Sequence, residues 1–322
     1  MYGASRLRAF KGRFLALPDY GTVIWVTEDG FVWRPAFQVE GVDEISDLAV
    51  NKERAVAIAR NNGEGSMAWL SDDGVIWRRG DDLPAEFGSL GATSSGFVAA
   101  GDNAIWTSTD GISWQQAIDA DSMHVASGAG RLFTIKGETV AFVDVGPRLE
   151  VWRTKGNEWS QIGALPDSKD AFIRNATQGP RGWVALGWGG VWSSEDGASW
   201  QKARQRDVPQ DASVDSVIAL DAGFVAAGFS GERGDVTCGS GEPLVAHTWT
   251  SRDGLVWPEM DQSFPDVAFT ALYAREQTLY VLGSKQGKGP GAGVWTAPLP
   301  VADRPARGVE PYRAPGTGGC GP

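Results

Sequence analysis

Short apolar runs alternate with polar turn residues along most of the chain. Seven similar runs of three to five residues, rich in Val, Ala, Leu and Phe, are followed by polar or glycine-containing segments. This pattern is typical of buried strands, and the runs are too short for helices. We therefore predict seven equivalent strands, at 14–17, 56–58, 97–101, 132–135, 183–187, 224–228 and 279–283.

A segment of mixed polarity precedes each of these apolar runs. Because it lies between a turn and an apolar strand, we interpret it as the innermost strand of the same sheet. The seven segments are 5–10, 45–50, 89–93, 123–127, 172–176, 217–220 and 269–273.

A hairpin motif follows the apolar runs. Its full form is Trp-x-Ser/Thr-x-Asp-Gly-x-x-Trp, and one degenerate copy at 152–159 lacks the Asp, while another at 294–296 keeps only the first half. Asp-Gly between apolar stretches is a strong hairpin signal because both residues tolerate positive φ. The clean copies begin at Trp25, Trp69, Trp106, Trp192 and Trp249.

The copies recur at intervals of 37 to 57 residues, which is about the length of one four-stranded propeller blade. A single hairpin cannot bury such large side chains, so neighbouring blades must stack. We predict an all-β, seven-bladed β-propeller of four-stranded antiparallel blades over residues 1–300, followed by a Pro/Gly-rich tail, 301–322, that packs on it or extends from it. The seventh outer strand is either missing or supplied by 301–313.

The hairpin resembles the Asp-box, or BNR, repeat, whose usual form is Ser-x-Asp-x-Gly-x-Thr-Trp. Here Asp is followed directly by Gly, so each copy is one residue shorter. The resemblance implies a propeller in which the box is a structural turn on the face opposite the binding site. It implies a structural role, and no catalytic one, for Asp29, Asp73, Asp110, Asp196 and Asp253.

The composition and net charge limit the classes of partner and the cellular compartment that we expect. A net charge of −11 argues against a nucleic-acid partner, and no apolar run of about 18 residues is present for a membrane-spanning helix. Cys238 and Cys320 lie in Gly-rich segments, where we expect them to form a disulfide. That disulfide predicts a secreted, periplasmic or cell-surface protein whose leader is absent from this chain. The alternative is a cytosolic protein with two unpaired cysteines.

The two faces of such a ring differ in chemistry. Connections from second to third strands and between blades share one face, here called the loop face, whereas the Asp-Gly turns occupy the turn face. Trp188 lies between glycines on the loop face, where it would either bind a sugar or protein or fill the channel mouth. Carboxylates that precede the innermost strands are predicted to surround this mouth as ligand-binding residues: Asp43, Glu86, Asp121, Asp170, Asp215 and Asp266. They would hold a Ca²⁺ ion or remain solvated; no other cofactor or metal site is expected.

Two functions fit this pattern. The first is a non-enzymatic module that binds a protein or glycan, or scaffolds an assembly, through the loop face. The alternative is a sialidase-like or other glycoside hydrolase, which would use carboxylates at the channel mouth, with Arg8, Arg174 and Tyr273 as candidate catalytic residues. With only two His in the chain, we expect no His-centred catalysis.

Overall fold

A computed structural model of the chain describes residues 4–18, 21–61, 65–101, 104–118, 131–135, 138–155, 158–203, 213–230, 245–260, 264–265, 267–275, 277–285, 291–299 and 310–311. Within these ranges the protein is all-β, with seven antiparallel sheets arranged as propeller blades. No helix in the same ranges is long and apolar enough to cross a membrane.

Each blade is built from strands that follow one another in the chain and pair in that order. Blades one to three comprise β1 Ala4–Phe10, β2 Arg13–Pro18, β3 Val23–Thr27, β4 Arg34–Gln38; β5 Glu44–Val50, β6 Ala55–Asn61, β7 Gly65–Ser71, β8 Arg78–Asp82; and β9 Phe87–Thr93, β10 Gly96–Gly101, β11 Ala104–Ser108, β12 Gln115–Ile118.

The remaining four blades repeat this order. They comprise β13 Arg131–Ile135, β14 Glu138–Asp144, β15 Leu149–Lys155, β16 Glu158–Ala164; β17 Phe172–Gly179, β18 Gly182–Trp188, β19 Gly190–Ser194, β20 Gln201–Lys202; β21 Ser213–Leu220, β22 Gly223–Ser230, β23 Val245–Ser251, β24 Phe264–Pro265; and β25 Val267–Arg275, β26 Thr278–Lys285, β27 Gly291–Pro298, β28 Glu310–Pro311.

Blade seven has three full strands, β25 to β27. The two-residue segment β28 pairs with β27 through Trp295–Pro311 and Thr296–Glu310. This short pairing comes from the C-terminal segment, which was one of the two alternatives for the outer strand. The division between propeller and tail at residue 300 stays a prediction.

Blade four corrects one strand assignment. The run 132–135 was predicted as a second strand, but β13 is the first strand of its sheet and β14 is the second. The reason is that β13 lies beside the innermost strand of blade three, where the Leu132 amide donates to Ser89 Oγ over 3.0 Å. The apolar run in β14, with Val140 and Val143 buried, takes the second position. The predicted strand 123–127 lies outside the described residues.

The innermost strands share a bulge near their loop-face end. The pairing register shifts there in blades one, two, three, five, six and seven. In blade five the bulge brings the Phe172 carbonyl oxygen to the place that a Cβ on Gly187 would occupy. Gly101 in blade three and Gly228 in blade six are likewise approached by a backbone carbonyl oxygen of their own blade, at the place that a Cβ would occupy. The recurring glycine after the apolar run is therefore required by close backbone approach.

The Asp-Gly turns are closed by their own side chains. Asp73 Oδ1 accepts hydrogen bonds from the Ser71 hydroxyl and from the amides of Val75 and Ile76, while the Gly74 amide donates to Ser71 Oγ. The four other clean copies have the same bonds. The predicted hairpin is thus present at all five positions.

These turns also pack against the preceding blade. Arg54 of blade two donates to the Asp110 carbonyl oxygen of blade three over 2.9 Å. Ser193 of blade five donates to the Asp253 carbonyl oxygen of blade six over 2.7 Å. The repeat therefore fastens neighbouring blades on the turn face as well as reversing the chain.

Candidate functional site

Two exposed aromatic side chains lie side by side on the loop face of blade five. Phe172 begins β17 and Trp188 ends β18, and the two residues are directly opposed in the strand register. Opposed residues of an antiparallel pair project from the same side of the sheet. Their exposed fractions, 44% for Phe172 and 61% for Trp188, are large for side chains of this size.

A glycine turn holds Trp188 in this exposed position. Gly189 and Gly190 have φ of 92° and 145°, in the region that side chains other than glycine rarely adopt. Gly187 on the other side is pressed against the bulged backbone of β17. The glycines that singled out Trp188 in the sequence therefore permit the tight turn that follows it, at whose start the indole is exposed.

Arg174 links the aromatic pair to blade six. Its guanidinium carbon lies 5.6 Å from the centroid of the Trp188 ring, and its Nη1 donates to Asp215 Oδ1 over 2.9 Å. The same carboxylate oxygen accepts from the Ser213 hydroxyl over 2.7 Å. The bulge in β17 places Arg174 at the site, and the bulge in β21 does the same for Asp215.

Blade four contributes Arg131 to the same surface. The guanidinium carbon of Arg131, the first residue of β13, lies 4.7 Å from the centroid of the Phe172 ring. Each exposed aromatic ring thus has a guanidinium group against it, within the range of cation–π attraction. Side chains from blades four, five and six meet here in a surface that we call the aromatic–arginine site: Arg131, Phe172, Arg174, Trp188 and Asp215.

Of the other predicted ligand-binding carboxylates, three lie within the described residues. Asp43, Glu86 and Asp170 precede β5, β9 and β17 on the loop face of separate blades. Asp121 and Asp266 lie outside the described residues, as do Cys238 and Cys320. In the described part of the chain, no three His, Cys, Asp or Glu side chains are grouped so that they could hold a metal ion. The Ca²⁺ site and the disulfide stay predictions.

Arg8 lies away from the aromatic–arginine site, in the innermost strand of blade one. Burial lowers the pKa of its guanidinium, and the nearby Asp47 carboxylate partly opposes that effect. Asp47 is itself buried and accepts from Arg6 Nε over 3.0 Å and from the Leu90 amide over 2.8 Å. This charged group joins blades one, two and three near the channel, and Arg174 is not part of it.

Tyr273 lies near the end of β25 that approaches the turn face. Its hydroxyl donates to the Gly30 carbonyl oxygen over 3.1 Å. Burial raises the pKa of the phenol well above its usual value, with smaller contributions from Tyr280 and Asp29. The structure therefore does not bring Arg8, Arg174 and Tyr273 together.

The Asp-Gly turn carboxylates are held in their charged form. Hydrogen bonds from backbone amides lower the pKa of Asp29, Asp73 and Asp196, most strongly through the third residue after each Asp. At Asp110 and Asp253 burial raises the pKa, but the amide hydrogen bonds outweigh it and the pKa is lowered there too. These carboxylates accept their hydrogen bonds from within their own turns.

Sequence reasoning found Trp188, Arg174 and Asp215 but missed Phe172 and Arg131 as site residues. The sequence predicted Phe172 only as the start of an inner strand, and it gave no prediction for Arg131. Neither carries a local signal, because their exposure depends on where blades four and five meet. The assignment error in blade four concealed Arg131 in particular.

Comparisons with known proteins give the fold and little more. No protein-family model matches the chain, and no curated protein sequence matches it. Solved structures, however, do match the chain. Virginiamycin B lyase from Staphylococcus aureus is 10% identical with a TM-score of 0.61, over 87% of this chain and 90% of the lyase.

Two further structures cover less of their own length. The extracellular domain of a one component system from B. thetaiotaomicron is 9% identical, with a TM-score of 0.57 over 98% of this chain and 47% of that one. Puromycin hydrolase is 8% identical, with a TM-score of 0.57 over 92% of this chain and 52% of the hydrolase. Identities this low establish a shared fold only: the chain is a seven-bladed β-propeller.

Proposed function

We propose that this propeller is a glycan-binding module whose ligand occupies the aromatic–arginine site on the loop face. The observation that carries the proposal is the exposed Phe172–Trp188 pair with a guanidinium group against each ring. Large aromatic side chains that are exposed next to one another are found more often in binding surfaces than elsewhere on a protein surface.

The chemistry of the site suits a sugar. The C–H face of a pyranose ring is apolar and packs on an indole or phenyl ring, whereas its hydroxyl groups need hydrogen-bonding partners. Arg174 and Asp215 form an ion pair of 2.9 Å. A guanidinium has five N–H donors and a carboxylate has about four acceptor positions, so the pair can also bind sugar hydroxyl groups. Few polar groups at fixed positions beside an apolar surface are typical of small-ligand sites.

We infer that the side chains of the site are positioned before the ligand binds. Trp188 and Phe172 belong to paired strands, Arg174 is fixed by its ion pair, and Asp215 is also held by Ser213. A preorganised surface loses little side-chain entropy on binding. This supports recognition through the loop face and leaves the turn face to hold the blades together.

An extracytoplasmic location is part of this proposal. A glycan ligand fits a secreted, periplasmic or cell-surface protein, and the expected disulfide between Cys238 and Cys320 requires an oxidising compartment. One structure of the same fold is the extracellular domain of its protein. Comparing the intact mass with and without reductant tests the disulfide, because two free thiols would give no change.

A glycan array, with a parallel array of peptides, tests the proposed function. Binding to a set of related glycans that Trp188→Ala abolishes would support it. Binding to peptides alone would replace the glycan by a protein partner. Turnover of chromogenic glycosides on the same protein would favour the glycoside hydrolase alternative, in which the loop-face carboxylates act as acid and base.

A further inference from the structure

Ser230, His247 and Glu259 form a row across blade six, away from the central channel. Ser230 is the last residue of β22, His247 lies in β23, and Glu259 neighbours β23 through its bridge to Trp249. Ser230 Oγ lies 2.8 Å from His247 Nε2, and His247 Nδ1 lies 2.5 Å from Glu259 Oε1. A hydroxyl, an imidazole and a carboxylate are therefore connected in that order.

The carboxylate decides where the imidazole proton lies. An ionised Glu259 can only accept hydrogen bonds, so a neutral His247 must carry its proton on Nδ1 and donate it to Oε1. Nε2 is then an acceptor, and the Ser230 hydroxyl donates to it. This is the arrangement in which a serine is activated by a base that a third group orients.

The imidazole is more buried than the hydroxyl and carboxylate residues that it connects. His247 is 8% exposed, and its ring stacks on Trp249 with centroids 5.5 Å apart. Ser230 is only half-buried at the end of its strand, and the Glu259 side chain is 39% exposed. The proposal below requires that an acyl group reach Ser230 Oγ at this partly exposed end of β22.

We propose that Ser230, His247 and Glu259 form a nucleophilic site that hydrolyses carboxylic esters. Ser230 Oγ attacks the ester carbonyl carbon while its proton passes to His247 Nε2. The tetrahedral adduct then expels the alcohol, which takes that proton, and leaves an acyl–serine ester. Water attacks this ester with His247 again accepting the proton, and the acid is released as Ser230 recovers its hydrogen.

We propose this site although a chain with only two His residues led us to expect no His-centred catalysis. A single histidine suffices when the fold supplies its partners. Ser230 precedes His247 by 17 residues and Glu259 follows it by 12, so no short motif marks the group. The three side chains meet because β22 and β23 are neighbours and the segment at 259 lies beside β23.

A fluorophosphonate probe tests the site on the full chain, because it reacts with activated serines and leaves ordinary ones unmodified. We expect one label, mapped to Ser230 by peptide mass spectrometry, and hydrolysis of p-nitrophenyl acetate by the same protein. Ser230→Ala should abolish labelling. His247→Ala and Glu259→Gln should each slow labelling and ester hydrolysis by about 10²-fold or more, the usual contribution of a positioned base.

Controls separate activation from folding. Ser95→Ala removes an exposed turn hydroxyl and should change neither readout. Ser230→Cys keeps the geometry and should react with iodoacetamide faster than the double variant Ser230→Cys/His247→Ala. Labelling of Ser230 does not require a glycan, so this site can fail or hold independently of the glycan site. An unlabelled Ser230 in the folded protein, or a label that persists unchanged in His247→Ala, would overturn the proposal.

Discussion

The Tyr273 hydroxyl of blade seven donates a hydrogen bond to the Gly30 carbonyl oxygen in the Asp-Gly turn of blade one, over 3.1 Å. Arg275 donates to the Glu28 carbonyl oxygen beside it over 2.6 Å, and the Phe14 ring packs on Tyr273 with centroids 4.5 Å apart. Because no blade mixes first and last strands among the described residues, these side chains close the ring. The last blade meets the first by the same turn-face docking that joins blades two and three.

Removing the ring-closing hydroxyl should weaken the fold and leave ligand binding unchanged. We expect Tyr273→Phe to lower the free energy of unfolding by roughly 0.5–1.5 kcal/mol, the usual net value of one hydrogen bond. Denaturant unfolding measures this loss. Tyr280→Phe is the matched control, since no described residue accepts a hydrogen bond from Tyr280 and its ring still stacks on Tyr273. Loss of glycan binding or turnover in Tyr273→Phe with unchanged stability would instead indicate a direct role at a site.

The turn carboxylates should stabilise the fold through backbone amides. Asp253→Ala leaves the Leu255 and Val256 amides without their acceptor, so we expect a loss of roughly 1–3 kcal/mol in the free energy of unfolding. Asp81→Ala changes an exposed carboxylate and should stay within about 0.5 kcal/mol of wild type. Equal effects of the two substitutions in urea unfolding would contradict the structural role of the turn.

The same turns make a prediction about acid. Amide hydrogen bonds from Ile76 and Val75 lower the pKa of Asp73, so its charge adds stability above the unfolded-state pKa, near 3.9. That contribution is lost as the pH falls through the lower folded-state pKa. The stability advantage of wild type over Asp73→Asn should therefore be constant from about pH 5 to 7 and shrink below about pH 4. Urea unfolding at several pH values measures it, and an advantage that grows on acidification would contradict the assigned direction.

The glycine that faces the bulge should control the geometry of the aromatic–arginine site. A Cβ on residue 187 would overlap the Phe172 carbonyl oxygen, so Gly187→Ala must displace the start of β17. We expect a stability loss of about 1–3 kcal/mol, as for other overpacked positions, together with weaker ligand binding. Gly88→Ala is the control, because a Cβ there meets no atom within 4 Å. Unchanged binding in folded Gly187→Ala would show that the site does not depend on this bulge.

The fold could be predicted from the sequence because its signals are local and repeated. Each hydrogen bond that closes an Asp-Gly turn joins residues two or three positions apart, so the motif predicts the hairpin wherever it occurs. Blade four was assigned wrongly at 132–135 because its turn motif is degenerate and the apolar run in β14 lies close by. Ring closure could not be predicted, since the contact between Tyr273 and Gly30 joins residues 243 positions apart.

The candidate sites, like the fold, could be predicted only where the signal is local. Trp188 could be predicted because the glycines beside it indicate an exposed aromatic residue. Arg131 and Phe172 could not, because they come from different blades and meet only in the folded ring. Ser230, His247 and Glu259 have no distinctive pattern in the sequence; the first two lie in strands and Glu259 lies outside one. Their relationship depends on strand register, which places Gly228 opposite His247 and so brings Ser230 diagonally within reach.

The central claim is that ligand is bound on the loop face at Trp188, and the affinity of one oligosaccharide for matched variants tests it most directly. Isothermal titration would compare wild type, Trp188→Ala and Ile76→Ala, using the oligosaccharide that binds best on the array. Ile76 is 74% exposed, but it belongs to an Asp-Gly turn on the opposite face. We predict that Trp188→Ala weakens binding by about tenfold or more, as for a central aromatic contact, and that Ile76→Ala binds like wild type. Equal affinity of wild type and Trp188→Ala would contradict the account.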